Sequence, residues 1–199
     1  MENTCDTRQR ILDSARDLIY ANSYAEVGVA AICDHAGVKK GSFYHFFPSK
    51  QELVLAMLDA FYLDMKERLG DKAFIDELPP LARLERFTQL AYEFQLQLHQ
   101  TTGMVLGCPF GNLANEVSTH DEVIRARLEQ IFKKFHTLIR NTLEEANDSG
   151  TLNHINADAT AQAMLAYFEG VMLMAKNQNN TDVIKQLLPA MSSIRIHNN

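Results

Sequence analysis

The chain has no tryptophan and only three cysteines, five prolines and nine glycines among 199 residues. Each scarcity excludes something. Cys5, Cys33 and Cys108 are odd in number and far apart, which argues against a disulfide framework. Few prolines and glycines suit an all-α chain, because both residues interrupt helices. No apolar run approaches the roughly 20 residues that a membrane-spanning helix needs. The opening MENTCDTRQR lacks the apolar centre of a secretory signal, so a cytoplasmic protein is expected. His99, His120, His136 and His154 fall into no short metal motif. No nucleophile stands at catalytic spacing from a base. Neither a metal, a cofactor nor enzymatic activity is therefore expected. The length fits one or two small domains, and a hydrophobic share of 46% is enough for a core.

A local absence is more telling. From His35 to Gln51 there is no acid, although the formal net charge of the whole chain is −6. The same stretch holds Lys39, Lys40, Lys50, His35 and His45. Screening over roughly 8–10 Å lets such a basic patch act while acids elsewhere are ignored. An acidic body also limits non-specific attraction to nucleic acid.

The pattern around this patch is that of two short helices joined by a tight turn. Val29, Ile32, Cys33 and Ala36 give one apolar face, with Cys33 read as packing. Gly37 suits a left-handed turn position. A helix from Lys40 to Phe46 follows, and Pro48 disfavours helical geometry at Phe47. Ser49 with Glu52 forms a capping box for the next helix. This is the outline of a helix-turn-helix DNA reader. Lys39, Lys40 and Ser42 stand at the N-terminal end of its second helix, and Gly41 allows close backbone approach. Tyr44 and His45 can reach phosphates or thymine methyls. Lys50, with the first amides of its helix, can hold phosphate. The plainer alternative is a solvated basic loop over aromatic core residues, and Phe43, Phe46 and Phe47 are read as core.

Helical spacing continues to the end of the chain, and nine helices are expected in all. The first runs from Thr7 to Ala21, with Asp6 and Gln9 resembling a capping box. The fourth runs from Ser49 to Gly70. Later ones start at Pro80, Pro109, Asp121 and Asn156 or Asp158, and the last spans Asp182 to Arg195. Cys5 is placed in a frayed terminus. The implied division is 1–48 for the DNA reader and 49–199 for a helical body, with 49–70 as connector.

From Thr7 to Leu58 the runs TRQRILDSARDLIYANSY and AAICDHAGVKKGSFYHFFPSKQELV resemble the DNA-binding region of TetR-family transcriptional repressors. The resemblance implies DNA contacts at Lys40, Ser42, Tyr44, His45 and Lys50. It implies a palindromic operator read by a homodimer, with an inducer-binding body and no enzymatic role. Dimer contacts are expected on the last two helices, which carry Met164, Tyr167, Phe168, Val171, Leu187, Leu188 and Met191. The same residues could instead be ordinary core. Lys39, Gly28 and Asn22-Ser23 depart from the family pattern at three cap or turn positions.

In the body, Phe87, Phe94, Met104, Phe110, Phe132, Phe135, Met172 and Met174 are candidate liners of an apolar pocket, or simply core. Cys108 stands before a helix that starts at Pro109, a favoured first helical position. A thiol there feels the positive end of the helix, which favours thiolate. The alternative is a buried, inert cysteine. LGCPFGNLANEVS and EGVMLMAK resemble the ligand domain of NemR-type, electrophile-responsive repressors. That resemblance implies sensing at Cys108 and Lys176. The sequence thus points to a repressor released by a small-molecule inducer, with a reactive electrophile or oxidant sensed at Cys108. Two rivals remain: a repressor induced by a non-covalent apolar ligand, and an electrophile-processing enzyme or carrier on a helical bundle.

Overall fold

A computed structural model describes residues 4–198, with side chains from Asp6 onward. In chain order the elements are α1 (Thr4–Ala21), α2 (Val29–Ala36), α3 (Lys40–Phe46) and α4 (Lys50–Met65). A π-helical turn (Lys66–Gly70) and the one-turn α5 (Asp71–Ala73) follow. Then come α6 (Pro80–Thr102), α7 (Pro109–Val117), α8 (Glu122–Asp148), α9 (Ala157–Gln178), α10 (Thr181–Leu187) and a 3-10 turn (Leu188–Ser193). The fold is all-α, as the sequence implies. The described residues contain no strand, only one antiparallel bridge between Ile155 and His197.

Four local expectations need correction. Helix α1 begins at Thr4, so Asp6 lies inside its first turn and forms no capping box. Gln9 instead donates to Asp13 at 3.1 Å. Cys5 has its backbone in α1, and its side chain lies outside the described residues. Gly70 does not end the fourth helix. It takes helical angles (φ −61°, ψ −61°), and the chain turns away only at Phe74. A single glycine costs a helix only about 1 kcal/mol. Here Leu69 and Ala73 are buried on either side of it. The last helix starts one residue early, because Asn180 caps it by accepting the Asp182 N–H at 2.9 Å. It tightens into the 3-10 turn at Leu188, next to Pro189, which has no N–H for the α-helical ladder.

The chain forms two compact units. The first comprises residues up to Asp64 together with Pro109–Glu129. Its core is Ile11, Ala15, Ile32, Phe43, Leu53 and Val54, with Phe110, Ile124 and Leu128, each at most 2% exposed. The second comprises Met65–Cys108 and the chain from Gln130 onward. Its core includes Leu84, Ile131, Leu143, Ala161, Met164, Ile184 and Met191. The buried Arg83 grips Glu145 there with two bonds of 2.7 and 3.2 Å. Met164, Val171, Leu188 and Met191 are thus core of the single chain and not free interface. The apolar side chains left exposed on α9 and α10 are Leu173, Met174 and Leu187.

Candidate nucleic-acid interface and cysteine site

The turn between α2 and α3 rests on Gly37, whose φ is +64°. Its N–H donates to the Asp34 carbonyl at 3.2 Å, and that of Val38 to Cys33 at 2.9 Å. Cys33 is buried as expected, and burial raises its thiol pKa, favouring the neutral thiol. Helix α1 braces the turn from behind. Arg10 donates to the Gly37 carbonyl at 3.3 Å, and His35 meets the buried Ser14 hydroxyl at 3.0 Å.

Helix α3 divides cleanly between core and solvent. Phe43 is fully buried and Phe47 nearly so. Lys39, Lys40, Gly41, Tyr44 and His45 are exposed, Tyr44 by 53%, and Ser42 is half-buried. Lys40, Gly41, Tyr44 and His45 share one helical face by spacing. The Tyr44 ring is thus open to contact from outside. The Arg8 guanidinium lies 5.2 Å from the Phe47 ring centroid, a cation near α3 that the sequence reading missed.

Lys50 is more constrained than the sequence implies. It is half-buried, 4.1 Å from the Tyr24 ring centroid, and its ammonium donates to the Tyr24 carbonyl. Burial lowers its pKa, and Glu116 opposes that shift. Glu116, on α7, in turn accepts the Tyr24 N–H at 2.9 Å and the Ala25 N–H at 2.6 Å. Two further contacts join the same segment to α4. Gln51 donates to both Asp121 oxygens at 3.0 and 2.8 Å, and Arg127 to Asp59 at 3.1 Å. Asp121 also caps α8 through the Val123 and Ile124 N–H groups. Burial resists its ionisation, but those bonds outweigh burial and hold the carboxyl below the usual range. The pairs Glu116–Tyr24, Asp121–Gln51 and Asp59–Arg127 were not legible, since 68 or more residues separate the members of each.

The second unit holds Cys108, 8% exposed, at the end of a loop that is clamped twice. Asn179, left-handed at φ 45°, accepts the Val105 N–H at 2.8 Å and donates to the Gly103 carbonyl at 3.1 Å. The buried Gln95 pairs with both backbone groups of Gly107, at 2.8 and 3.2 Å. Gly107 has φ +74°, and a Cβ there would stand 3.4 Å from the Lys176 Cδ and the Met172 carbonyl. Burial pushes the Glu169 pKa up.

The residues packed on Gly107 are therefore Gln95, Met172 and Lys176. Of the expected sensing residues, Met172 and Lys176 meet the glycine that precedes Cys108. Phe94 and Phe135 are half-buried on α6 and α8. Phe110 belongs to the first unit, where its ring meets Phe61 at 6.1 Å. Met104 and Met174 are 51% and 47% exposed, so neither lines an interior. The sequence reading missed Gln95, Glu169 and Asn179. Glu169 carried a signal, since seven residues place it two turns before Lys176 on one face of α9. Among the described residues no group of three His, Cys, Asp or Glu could hold a metal ion. No helix there is long and apolar enough to cross a membrane.

A glycine-turned helix pair with a basic, aromatic outer face over a phenylalanine core defines a helix-turn-helix regulator. Comparison with known proteins gives the family. Residues 11–57 match the model of bacterial regulatory proteins of the tetR family. Residues 80–191 match the tetracyclin repressor-like C-terminal domain. The chain belongs to the TetR family of bacterial transcriptional regulators. It is similar to the transcriptional regulator AcuR of Cereibacter sphaeroides, 34% identical over 87% of this chain and 78% of that one. The transcriptional repressor NemR of Escherichia coli is 27% identical over 95% of this chain and 94% of its own. A regulatory protein TetR from Rhodobacter sphaeroides has a similar crystal structure, with TM-score 0.82 and 31% identity. The match covers 94% of this chain and 98% of that one.

Proposed function

We propose that the chain is a cytoplasmic, homodimeric repressor that a small-molecule inducer releases from a palindromic operator. The observation that carries the DNA half is the outer face of α3. Lys39, Lys40, Gly41, Tyr44 and His45 are exposed there while Phe43 is fully buried beneath them. These residues, with Ser42 and Lys50, contact the major groove and its phosphates. The reader is residues 1–48, and the body is 49–199 with 49–70 as connector. Two readers set roughly 34–36 Å apart would meet successive major-groove segments. Leu173, Met174 and Leu187, exposed on α9 and α10, suit contact with a second copy.

The inducer is an electrophile or oxidant that modifies Cys108, with Lys176 beside it. Support comes from the clamped loop, which holds Gly107 against the Lys176 side chain. The similarity to NemR agrees with it. The chain then runs from Cys108 directly into α7, whose Glu116 holds the loop before α2. A shift of α7 would pull on the reader, and a coupling of about 1–3 kcal/mol suffices for release.

Fluorescence anisotropy on DNA from upstream of the chain's own gene tests this, with and without N-ethylmaleimide. Tight, salt-sensitive binding lost on treatment is the expected result. A Cys108→Ser variant should bind and resist. Equal release of that variant would assign the effect to another thiol, Cys5 or Cys33, whereas wild type that resists N-ethylmaleimide would point to a non-covalent ligand, a reading that the low exposure of Cys108 favours.

A further inference from the structure

Among the described residues, helix α1 pairs its charges with one exception. Arg10 meets Asp6 at 3.8 Å, and Arg16 meets Asp13 and Asp17 at 3.5 and 3.3 Å. The acids of the helix, Asp6, Asp13 and Asp17, are thereby engaged. Arg8 is exposed and is paired with no acid among the described residues. It is held in place all the same. Its guanidinium lies 5.2 Å from the ring centroid of Phe47, the residue that closes α3. Phe47 is only 3% exposed, so its ring is a fixed support. Ordering an exposed arginine costs rotamer entropy, and the ring meets part of that cost before any partner arrives. The ring attracts the cation but is no anion, so the guanidinium keeps N–H donors for an acceptor from outside.

Resting on the reading of α3 as the DNA face, the geometry points to Arg8 as a phosphate clamp on duplex DNA, set at the opposite end of α3 from Lys39 and Lys40. The rise from Lys40 to Phe47 is about 10 Å, at roughly 1.5 Å per residue. The major groove is about 12 Å wide. Cations at the two ends of α3 thus stand about one groove width apart, and each meets the phosphates of one wall. The planar guanidinium of Arg8 can give two parallel N–H bonds to a single phosphate. Such a contact fixes the register and tilt of α3 without reading a base. Arg8 also extends the acid-free patch of His35 to Gln51 from a separate helix, in a chain whose net charge is −6.

The probe is duplex DNA that the wild-type chain selects from a random-sequence pool. Its binding is titrated at several salt concentrations with wild type, Arg8→Gln, Arg8→Lys and Lys40→Ala, and thermal unfolding of each is followed alongside. Arg8→Gln should reduce the log–log salt slope by about 0.9 for each reader bound. Its loss of affinity should be equal on selected duplexes of different sequence, because a phosphate contact carries no base information. Arg8→Lys keeps the charge and should keep the slope. A wild-type slope in Arg8→Gln, beside a reduced slope in Lys40→Ala, overturns the clamp and leaves the reading of α3 intact. Earlier unfolding of Arg8→Gln at that unchanged slope would make Arg8 a packing residue for Phe47. Wild-type slopes in both Arg8→Gln and Lys40→Ala, or no duplex selected at all, overturn the reading of α3 and this inference with it.

Discussion

Glu116 holds the backbone N–H groups of Tyr24 and Ala25 with its two carboxylate oxygens, at 2.9 and 2.6 Å. The pair joins α7 to the loop between α1 and α2, and Tyr24 in turn receives Lys50. Removing the carboxylate leaves two amides to water and frees that loop. Charge-assisted bonds are worth about 1.5–3 kcal/mol, and partial exposure reduces this. Glu116→Ala is expected to lose about 1–2 kcal/mol in urea denaturation. It should also weaken operator binding, because Lys50 loses its seat. Unchanged stability would show that the loop is held by other contacts.

Lys40 and Tyr44 face outward, so their loss should not disturb the core. Lys40→Ala and Tyr44→Ala are expected to stay within about 0.5 kcal/mol of wild-type stability. Lys40→Ala should lower the log–log salt slope of operator binding by about 1. Titrations at several salt concentrations give both affinity and slope. An unaltered slope would remove Lys40 from the phosphate contacts.

Phe43 shares α3 with those residues and behaves oppositely. It is fully buried, with its ring 5.2 Å from Tyr44 and 6.1 Å from Phe47. Phe43→Ala should cost about 3–5 kcal/mol and unfold the reader. Circular dichroism during heating would show an early loss of helix.

Two glycines separate strain from crowding. Gly37 and Gly107 both have positive φ, +64° and +74°. A Cβ at Gly37 meets nothing within 4 Å. Gly37→Ala should therefore pay only the left-handed penalty of about 1–2 kcal/mol. Gly107→Ala adds contact with Lys176 and the Met172 carbonyl, so it should also slow Cys108 modification by acrylamide. Equal modification rates for the two variants would mean that the Gly107 packing does not position the thiol.

Asp121 gives the pH dependence a sign. Its folded pKa lies below the ordinary aspartate value, despite the burial that works against ionisation. A depressed carboxyl contributes stability above its unfolded pKa and loses it as pH falls through the folded value. The wild type should thus exceed Asp121→Ala in stability at pH 7, and the gap should narrow below about pH 4. Denaturation at the two pH values checks this. A constant gap would assign the effect to packing.

Much of this protein follows from local chemistry alone. Helix periodicity, Gly37, Pro48 and the Ser49 cap depend on neighbours a few residues away, so the reader and its outward lysines were legible in the sequence. The Ser49 hydroxyl indeed accepts the Glu52 N–H at 3.1 Å. The place of Cys108 just before the helix that starts at Pro109 was legible in the same way. Helix ends were legible only where a cap or proline forced them, which is why Gly70 misled. What tertiary structure alone decided were partners not adjacent in the chain: Glu116 with Tyr24, Gln51 with Asp121, and Gln95 with Gly107. It also decided which apolar stripe is core, burying Met164 and Met191 while leaving Met174 and Leu187 outside. Periodicity says that a helix has an apolar face. Only packing says what covers it, because burial depends on the surfaces that other segments bring.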